Sequence, residues 1–310
     1  MMDKQMSKVL DQFDKLGPVP LTELSPANAR NSPTLKNAVE EMARSDSRCQ
    51  VSHRTIPGGG GELLVRIFTP PGPGPFPLLV YFHGGGWVIA NLDVYESSCR
   101  SICRAAAAVV VSVAYRLAPE FKFPAAVDDA YAAVQWTIAN AESLGADPAR
   151  VFVGGESAGG NLATVSCLKA LAEGGRLPVG QVLIYPVTDI SNTERRSYLQ
   201  NVNARPLNSG MMPWFFKQYL EKPEQRNHPY ASPILAPSLT GMPRAIVITA
   251  EFDPLRDEGE AYASLLREFG VAVQSTRYEG VSHEFFGLAG TVGKADQAVA
   301  EIANWMKAIS

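Results

Sequence analysis

Cysteine is scarce in this chain. Four thiols in 310 residues (Cys49, Cys99, Cys103 and Cys167) are too few and too scattered for a disulfide framework. Cys99 and Cys103 stand four apart on an expected helix, where buried free thiols are the simpler reading and a metal pair the alternative. Net charge is small as well. The chain has 28 basic and 31 acidic side chains, a balance of −3, which argues against a nucleic-acid partner and an anionic membrane surface. Residues 1–16 mix charges with Met6, Val9, Leu10 and Phe13 at helical spacing. They read as neither a signal peptide nor a membrane span, so a cytoplasmic location without membrane insertion is expected. The run Pro57-Gly58-Gly59-Gly60-Gly61 has no Gly-Lys-Ser/Thr after it, which excludes a phosphate-binding loop and leaves a tight hairpin. No internal repeat or low-complexity tract stands out. Histidine is as rare as cysteine, so imidazole chemistry has four candidates: His53, His83, His228 and His283.

What is present is an alternation of short β-branched runs with helical patterns. Strand patterns fall at 63–69, 78–82, 109–114, 150–154, 181–185, 245–250 and 271–278, and helices are expected after most of them. Residues 125–139 read as a helix, and the last helix falls near 297–308. The order predicts an α/β fold, one large domain with an accessory segment.

At one strand-to-helix junction stands Gly155-Glu156-Ser157-Ala158-Gly159. A Gly-x-Ser-x-Gly in that context is a nucleophile elbow, a turn so sharp that the serine takes strained angles and projects its hydroxyl alone above a sheet. The amide of Ala158 then lies at a helix N-terminus, where it stabilises an oxyanion. The alternative is a glycine-rich helix start with an N-capping serine. A second junction carries His83-Gly84-Gly85-Gly86-Trp87 after the strand pattern at 78–82. Glycines there turn backbone N–H groups towards a ligand, and elbow hydrolases use such a segment as the other half of the oxyanion hole. Gly85 and Gly86 are the expected donors, Gly84 shapes the turn, and His83 braces the loop without transferring a proton.

A serine nucleophile needs a base and an orienting acid. His283 is the last of the four histidines, as the hydrolase order Ser, acid, His requires. The acid is expected after the apolar run 245–250, and Asp253 sits at the C-terminal end of that strand, where open α/β sheets place catalytic groups. Pro254 keeps Asp253 extended and out of the next helix. Glu251 is the runner-up, and Asp189 comes one strand too early. Asp257 and Glu258 read as first-turn helix acids facing the macrodipole. Asp128 and Asp129 read as helix-start charges or structural acceptors, and Arg116 as a loop anchor.

Together these segments resemble the hormone-sensitive-lipase-like family of α/β-hydrolases, most of them bacterial carboxylesterases. The resemblance rests on His83 to Trp87, Tyr115-Arg116-Leu117-Ala118-Pro119-Glu120, Phe123-Pro124-Ala125-Ala126-Val127-Asp128-Asp129, Gly155 to Gly160, Tyr185-Pro186, Asp253-Pro254-Leu255-Arg256-Asp257-Glu258-Gly259 and His283. It implies an α/β-hydrolase fold: a central, mostly parallel sheet flanked by helices, with a helical cap. It implies nucleophile Ser157, base His283 and acid Asp253, an oxyanion hole at Gly84, Gly85, Gly86 and Ala158, and no metal or cofactor. One position departs from the family pattern: Glu156 stands where Asp or Thr is usual.

Residues 187–230 break the alternation, polar at first and then aromatic at Met211-Met212-Pro213-Trp214-Phe215-Phe216. With residues 1–50 they are expected to form the cap, leaving 51–186 and 231–310 as the catalytic domain. Trp87, Met211, Met212, Trp214 and Phe215 are the expected pocket residues, although a Met/aromatic stripe is also ordinary helix core. The expected function is hydrolysis of short- to medium-chain carboxylic esters. The alternatives are lactonase, amidase or dehydratase chemistry on the same scaffold, or a non-catalytic small-molecule receptor. Retention of Ser157, Asp253 and His283 argues against the receptor. The strand at 271–278 is a candidate sheet edge for a homodimer.

Overall fold

A computed structural model describes residues 1–32 and 48–309. Eight strands form one sheet: β1 (Gln50–Gly58), β2 (Gly61–Thr69), β3 (Phe76–Phe82), β4 (Val109–Val113), β5 (Ala146–Glu156), β6 (Gly180–Ile184), β7 (Arg244–Phe252) and β8 (Val273–Ser282). Their order is β1-β2-β4-β3-β5-β6-β7-β8. The first two strands form the expected hairpin, with Gly58 opposite Gly61, and β2 runs antiparallel to β4. From β4 to β8 every pairing is parallel.

The central parallel strands β3, β4 and β6 are buried along almost their whole length because both of their faces are covered, whereas the outer strand β8 is polar and exposed over much of its length. In β3 the alternation is visible residue by residue: Leu78, Val80 and Phe82 enter one core cluster, Leu79 and Tyr81 the other. On the first face pack α4 (Ala125–Ala139) and α5 (Ala158–Glu173), on the second α3 (Glu96–Ala106) and α9 (Gly293–Lys307). Helix α8 (Arg256–Glu268) packs on β7 and β8. Asp129 is buried under Arg116, which donates Nε and a guanidinium NH₂ to it at 2.8 Å, and it also accepts Gly59 N. That is the structural role expected of both residues.

One expectation needs correction. The last strand does not stop at residue 278. A bulge opposite Ala250 and Phe252, with Gly280 at φ 78°, carries β8 on to Ser282, so His283 leaves the strand end directly. Glu258 is in the first helical turn, as expected, but it has a further role there. It is fully buried and accepts the amides of Thr188 at 2.8 Å and Asp189 at 3.2 Å and the Tyr198 hydroxyl at 3.2 Å. Those amides follow β6 and have no ladder partner, so a buried carboxyl satisfies them. Burial pushes that carboxyl up to about 8.

Outside the sheet lie α1 (Lys4–Lys15) and α2 (Pro26–Arg30), and between β6 and β7 the short helices α6 (Arg196–Gln200) and α7 (Met212–Tyr219). Asp3 caps α1 by accepting Gln5 N, and its own N–H bonds Gly280 O at 2.8 Å. Arg30 donates to Val88 O at 2.7 Å and Ala118 O at 2.6 Å and pairs with Glu120, pinning the N-terminal segment to the sheet's upper rim. The helical expectation for residues 33–47, including the break at Pro33, lies outside the described residues. Among the described residues no helix is long and apolar enough to cross a membrane. Cys49, Cys99, Cys103 and Cys167 are buried free thiols.

Candidate active site

The β5–α5 turn holds Ser157 at φ 56°, ψ −118°. A non-glycine residue there costs about 1–3 kcal/mol, which the surroundings must impose. They do so through three backbone bonds: Ser157 N to Ile184 O at 2.9 Å, and Asn161 N and Val187 N to Ser157 O, both at 3.1 Å. The turn also needs its glycines, since a Cβ at Gly155 or Gly159 collides with the carbonyl of Phe82. Beneath the serine, Glu156 is fully buried and accepts the hydroxyls of Tyr81 on β3 and Tyr185 after β6. Burial first, and the charge of Glu284 next, push its carboxyl up to about 7. The longer acid at this position thus bolts the elbow to the strands on either side.

The glycine loop after β3 runs along the same rim. Gly85 (φ 93°) and Gly86 (φ 59°) take left-handed angles, and Gly85 O accepts Val88 N and Ile89 N at 3.0 and 2.9 Å. A side chain at Gly86 meets the Phe215 ring, and one at Gly84 meets the Tyr95 hydroxyl. His83 is buried, contacts Gly84 O through Nδ1 at 2.8 Å and stacks on Tyr115 at 4.4 Å. Burial lowers it to about 4, so it stays neutral and braces the loop.

Asp253 leaves β7 and His283 leaves β8. Their side chains meet, His283 Nδ1 to Asp253 Oδ2, at 2.7 Å. Asp253 is fully buried, and its other oxygen accepts Leu255 N at 2.9 Å. Burial alone lowers the imidazole's affinity for a proton, but the Asp253 carboxylate overrides it, with Glu284 and Glu156 adding to the rise. The other acids are engaged elsewhere. Glu251 accepts Gly280 N at 2.6 Å, and Asp189 pairs with Arg195 at 2.5 Å. His53 accepts Arg66 Nε at 3.0 Å on β1, and His228 accepts Tyr230 N at 3.0 Å.

Ser157 and His283 open onto one cavity of about 1690 Å³, together with Gly85, Gly86, Trp87, Met211, Met212 and Phe215. Gly84 and Ala158 lie behind its wall, Ala158 fully buried at the start of α5. The hydrogen bond from the imidazole to Asp253 is formed, and none joins it to Ser157 Oγ, a looseness common before substrate binds. Trp214 departs from the expectation. Met211, capping α7, and Met212 and Phe215 within it face the cavity, whereas Trp214 is a quarter-turn off that side, edge-on to Phe215 at 5.2 Å and packed on the core. Reading the sequence missed Tyr95 and Glu284, both on the cavity wall and joined by a 2.8 Å hydrogen bond. The one available signal was that Glu284 directly follows the histidine.

A protein-family model described as the alpha/beta hydrolase fold matches residues 79–287. Among curated proteins, the carboxylic ester hydrolase LipN of Mycobacterium tuberculosis is 42% identical over 275 residues, 87% of this chain and 73% of that protein. An ethyl acetate hydrolase of Pseudomonas putida is 38% identical, covering 79% of this chain and 78% of its own. Among solved structures, the hyperthermophilic esterase from the archaeon Pyrobaculum calidifontis superposes with a TM-score of 0.93 at 38% identity, over 99% of this chain and 98% of that one.

Proposed function

The chain belongs to the hormone-sensitive-lipase-like family of α/β-hydrolases, and we propose that it is a serine carboxylesterase acting through Ser157, His283 and Asp253. One observation carries the assignment of roles: the 2.7 Å bond between His283 Nδ1 and Asp253, at a cavity that the strained Ser157 also lines. With Nδ1 committed to Asp253, Nε2 is the nitrogen that takes the Ser157 proton as Oγ attacks the ester carbonyl carbon. Negative charge moves onto the carbonyl oxygen, where the amides of Gly85, Gly86 and Ala158 receive it. Each such donor lowers the barrier by about 3–4 kcal/mol. The imidazolium, stabilised by Asp253, returns its proton to the departing alcohol oxygen as the C–O bond breaks. Water then attacks the acyl-enzyme by the same steps, and the acid leaves. The chain's own groups handle every proton and charge, so no metal or cofactor is invoked.

In this reading the described residues of 1–50, together with 187–230, act as the cap, and 51–186 with 231–310 as the catalytic domain. The described parts of that cap bring Met6, Val9, Leu10 and Phe13 of α1 and Met211, Met212 and Phe215 to the cavity. A mostly apolar pocket walled on one side by these helices favours short- to medium-chain esters over insoluble triglyceride. The small ester named for the Pseudomonas putida relative supports the same range. Four buried free thiols support a cytoplasmic location. The outer position of β8 supports a homodimer through that edge, which sedimentation tests. The decisive experiment for function is hydrolysis of p-nitrophenyl esters of graded acyl length by the wild type and Ser157→Ala. Activity on short chains that disappears in the variant is the expected result, and activity that survives in the variant overturns the assignment.

A further inference from the structure

The steps above leave two carboxyls beside the imidazole without a task, Glu156 and Glu284. Glu156 is spoken for by two tyrosine hydroxyls under the elbow. Glu284 is different. It takes φ 68°, the left-handed region that a residue with a side chain rarely adopts. That backbone turn brings its carboxylate back over the residue before it. Oε1 lies 3.8 Å from His283 Nε2 and accepts the Tyr95 hydroxyl at 2.8 Å. Its side chain is 30% exposed, onto the cavity, so it reaches the site without being sealed beneath it. The imidazole therefore stands between two carboxylates, Asp253 at Nδ1 and Glu284 near Nε2, the nitrogen that serves Ser157. A separation of 3.8 Å is beyond a hydrogen bond but well within the reach of charge.

We propose that Glu284, held by Tyr95, is a positioning residue that acts through His283: a second carboxylate that stabilises the imidazolium on the side facing Ser157. This rests on the Ser157–His283–Asp253 reading. The groups facing His283 are Asp253 after β7, Glu156 and Ser157 at the end of β5, Tyr185 after β6 with its ring 4.5 Å away, Tyr95 ahead of α3, and Glu284 itself. None of these is basic, so every charge among them favours the protonated ring. The consequence has two sides. During attack, the second anion lowers the energy of the imidazolium that forms. Before attack, it keeps the ring protonated to higher pH, and a protonated ring cannot accept the serine's proton. Glu284 thus trades activity in acid for activity at neutral and higher pH.

The test is the pH dependence of kcat/KM on p-nitrophenyl acetate for the wild type, Glu284→Gln and Tyr95→Phe, with Ser157→Ala alongside. The amide of Glu284→Gln still accepts from Tyr95, so the variant removes charge and keeps shape. Its acid limb is expected to fall by about one pH unit, with a several-fold lower plateau kcat and little change in KM. Tyr95→Phe frees the carboxylate and weakens its charged form, so its limb moves the same way by less. It also decides the matter should Glu284→Gln fail to fold. A limb that stays at the wild-type pH or moves upward overturns the proposal. If Ser157→Ala keeps wild-type activity, the reading beneath it fails as well, and the two failures are told apart by that variant alone.

Discussion

At the floor of the cavity, Ser157, Asp253 and His283 sit at the ends of β5, β7 and β8, and each is held by hydrogen bonds to buried partners: Ile184 O, Leu255 N and the pair's own 2.7 Å contact. The wall built by α7 has no such bonds to the glycine loop. It reaches that loop through rings, with Tyr219 stacked on Trp87 at 4.1 Å and 4° and Phe215 against Gly86. The Tyr219 hydroxyl and Trp87 Nε1 are both buried without a partner among the described residues. Hydrogen bonds are directional and fix atoms to fractions of an ångström, which proton transfer requires. Stacked rings tolerate sliding and mainly exclude water.

The sharpest way to break this contrast is at the floor. Ser157→Ala is expected to lower kcat by at least about 10⁴-fold with the fold intact, read by ester hydrolysis and circular dichroism. Ser157→Gly removes the Cβ strain at φ 56° as well, so it is expected to be equally inactive yet more stable by about 1 kcal/mol in denaturant melts. No gain in stability would sink the claim that the elbow stores strain.

Next in size is Gly86→Ala, which combines a left-handed backbone with a collision against Phe215. A loss of about 10²-fold in kcat is expected. Adding Phe215→Ala relieves only the collision, so recovery is partial. Full recovery shows that the ring contact, not the backbone angle, sets the loop.

Glu156→Gln tests the bolt under the elbow through pH. The folded-state carboxyl is raised from 4.5 to about 7, so the folded protein holds that proton more tightly than the unfolded chain. Its contribution to stability is present in full below about 4.5 and is lost as pH rises through about 7. Glu156→Gln is therefore expected to flatten this part of the stability profile by up to about 3 kcal/mol between pH 5 and 8, and parallel profiles exclude the assignment.

The smallest effects belong to the wall. Tyr219→Phe is expected to be silent because the hydroxyl has no partner among the described residues, whereas Tyr219→Leu lowers kcat several-fold by loosening Trp87. A large effect from Tyr219→Phe would mean that the wall, like the floor, depends on a polar contact.

Much of the floor could be read along the chain. The short parallel strands announce themselves as apolar β-branched runs, and the Gly-x-Ser-x-Gly and triple-glycine segments mark turns that only small residues permit. Asp253 and His283 followed from their order after Ser157, although thirty residues separate them from each other. The wall was less accessible. A Met/aromatic stripe says that a helix buries one side, but not which neighbour lies there, so Trp214 was placed with the pocket and lies instead on the core. Glu258 looked like any acid in a first helical turn, because the two amides it serves come from a segment seventy residues earlier.

The sequence by itself determined most of the sheet, the sharp turn at Ser157 and which groups we propose to react, because those depend on local period, chain order and the few residues that a turn allows. Tertiary structure alone decided which carboxyls are buried, which hydroxyls answer them, and that Glu284 doubles back beside His283. Burial and charge act through space, and a linear chain carries no record of which distant side chains will share a low-dielectric site.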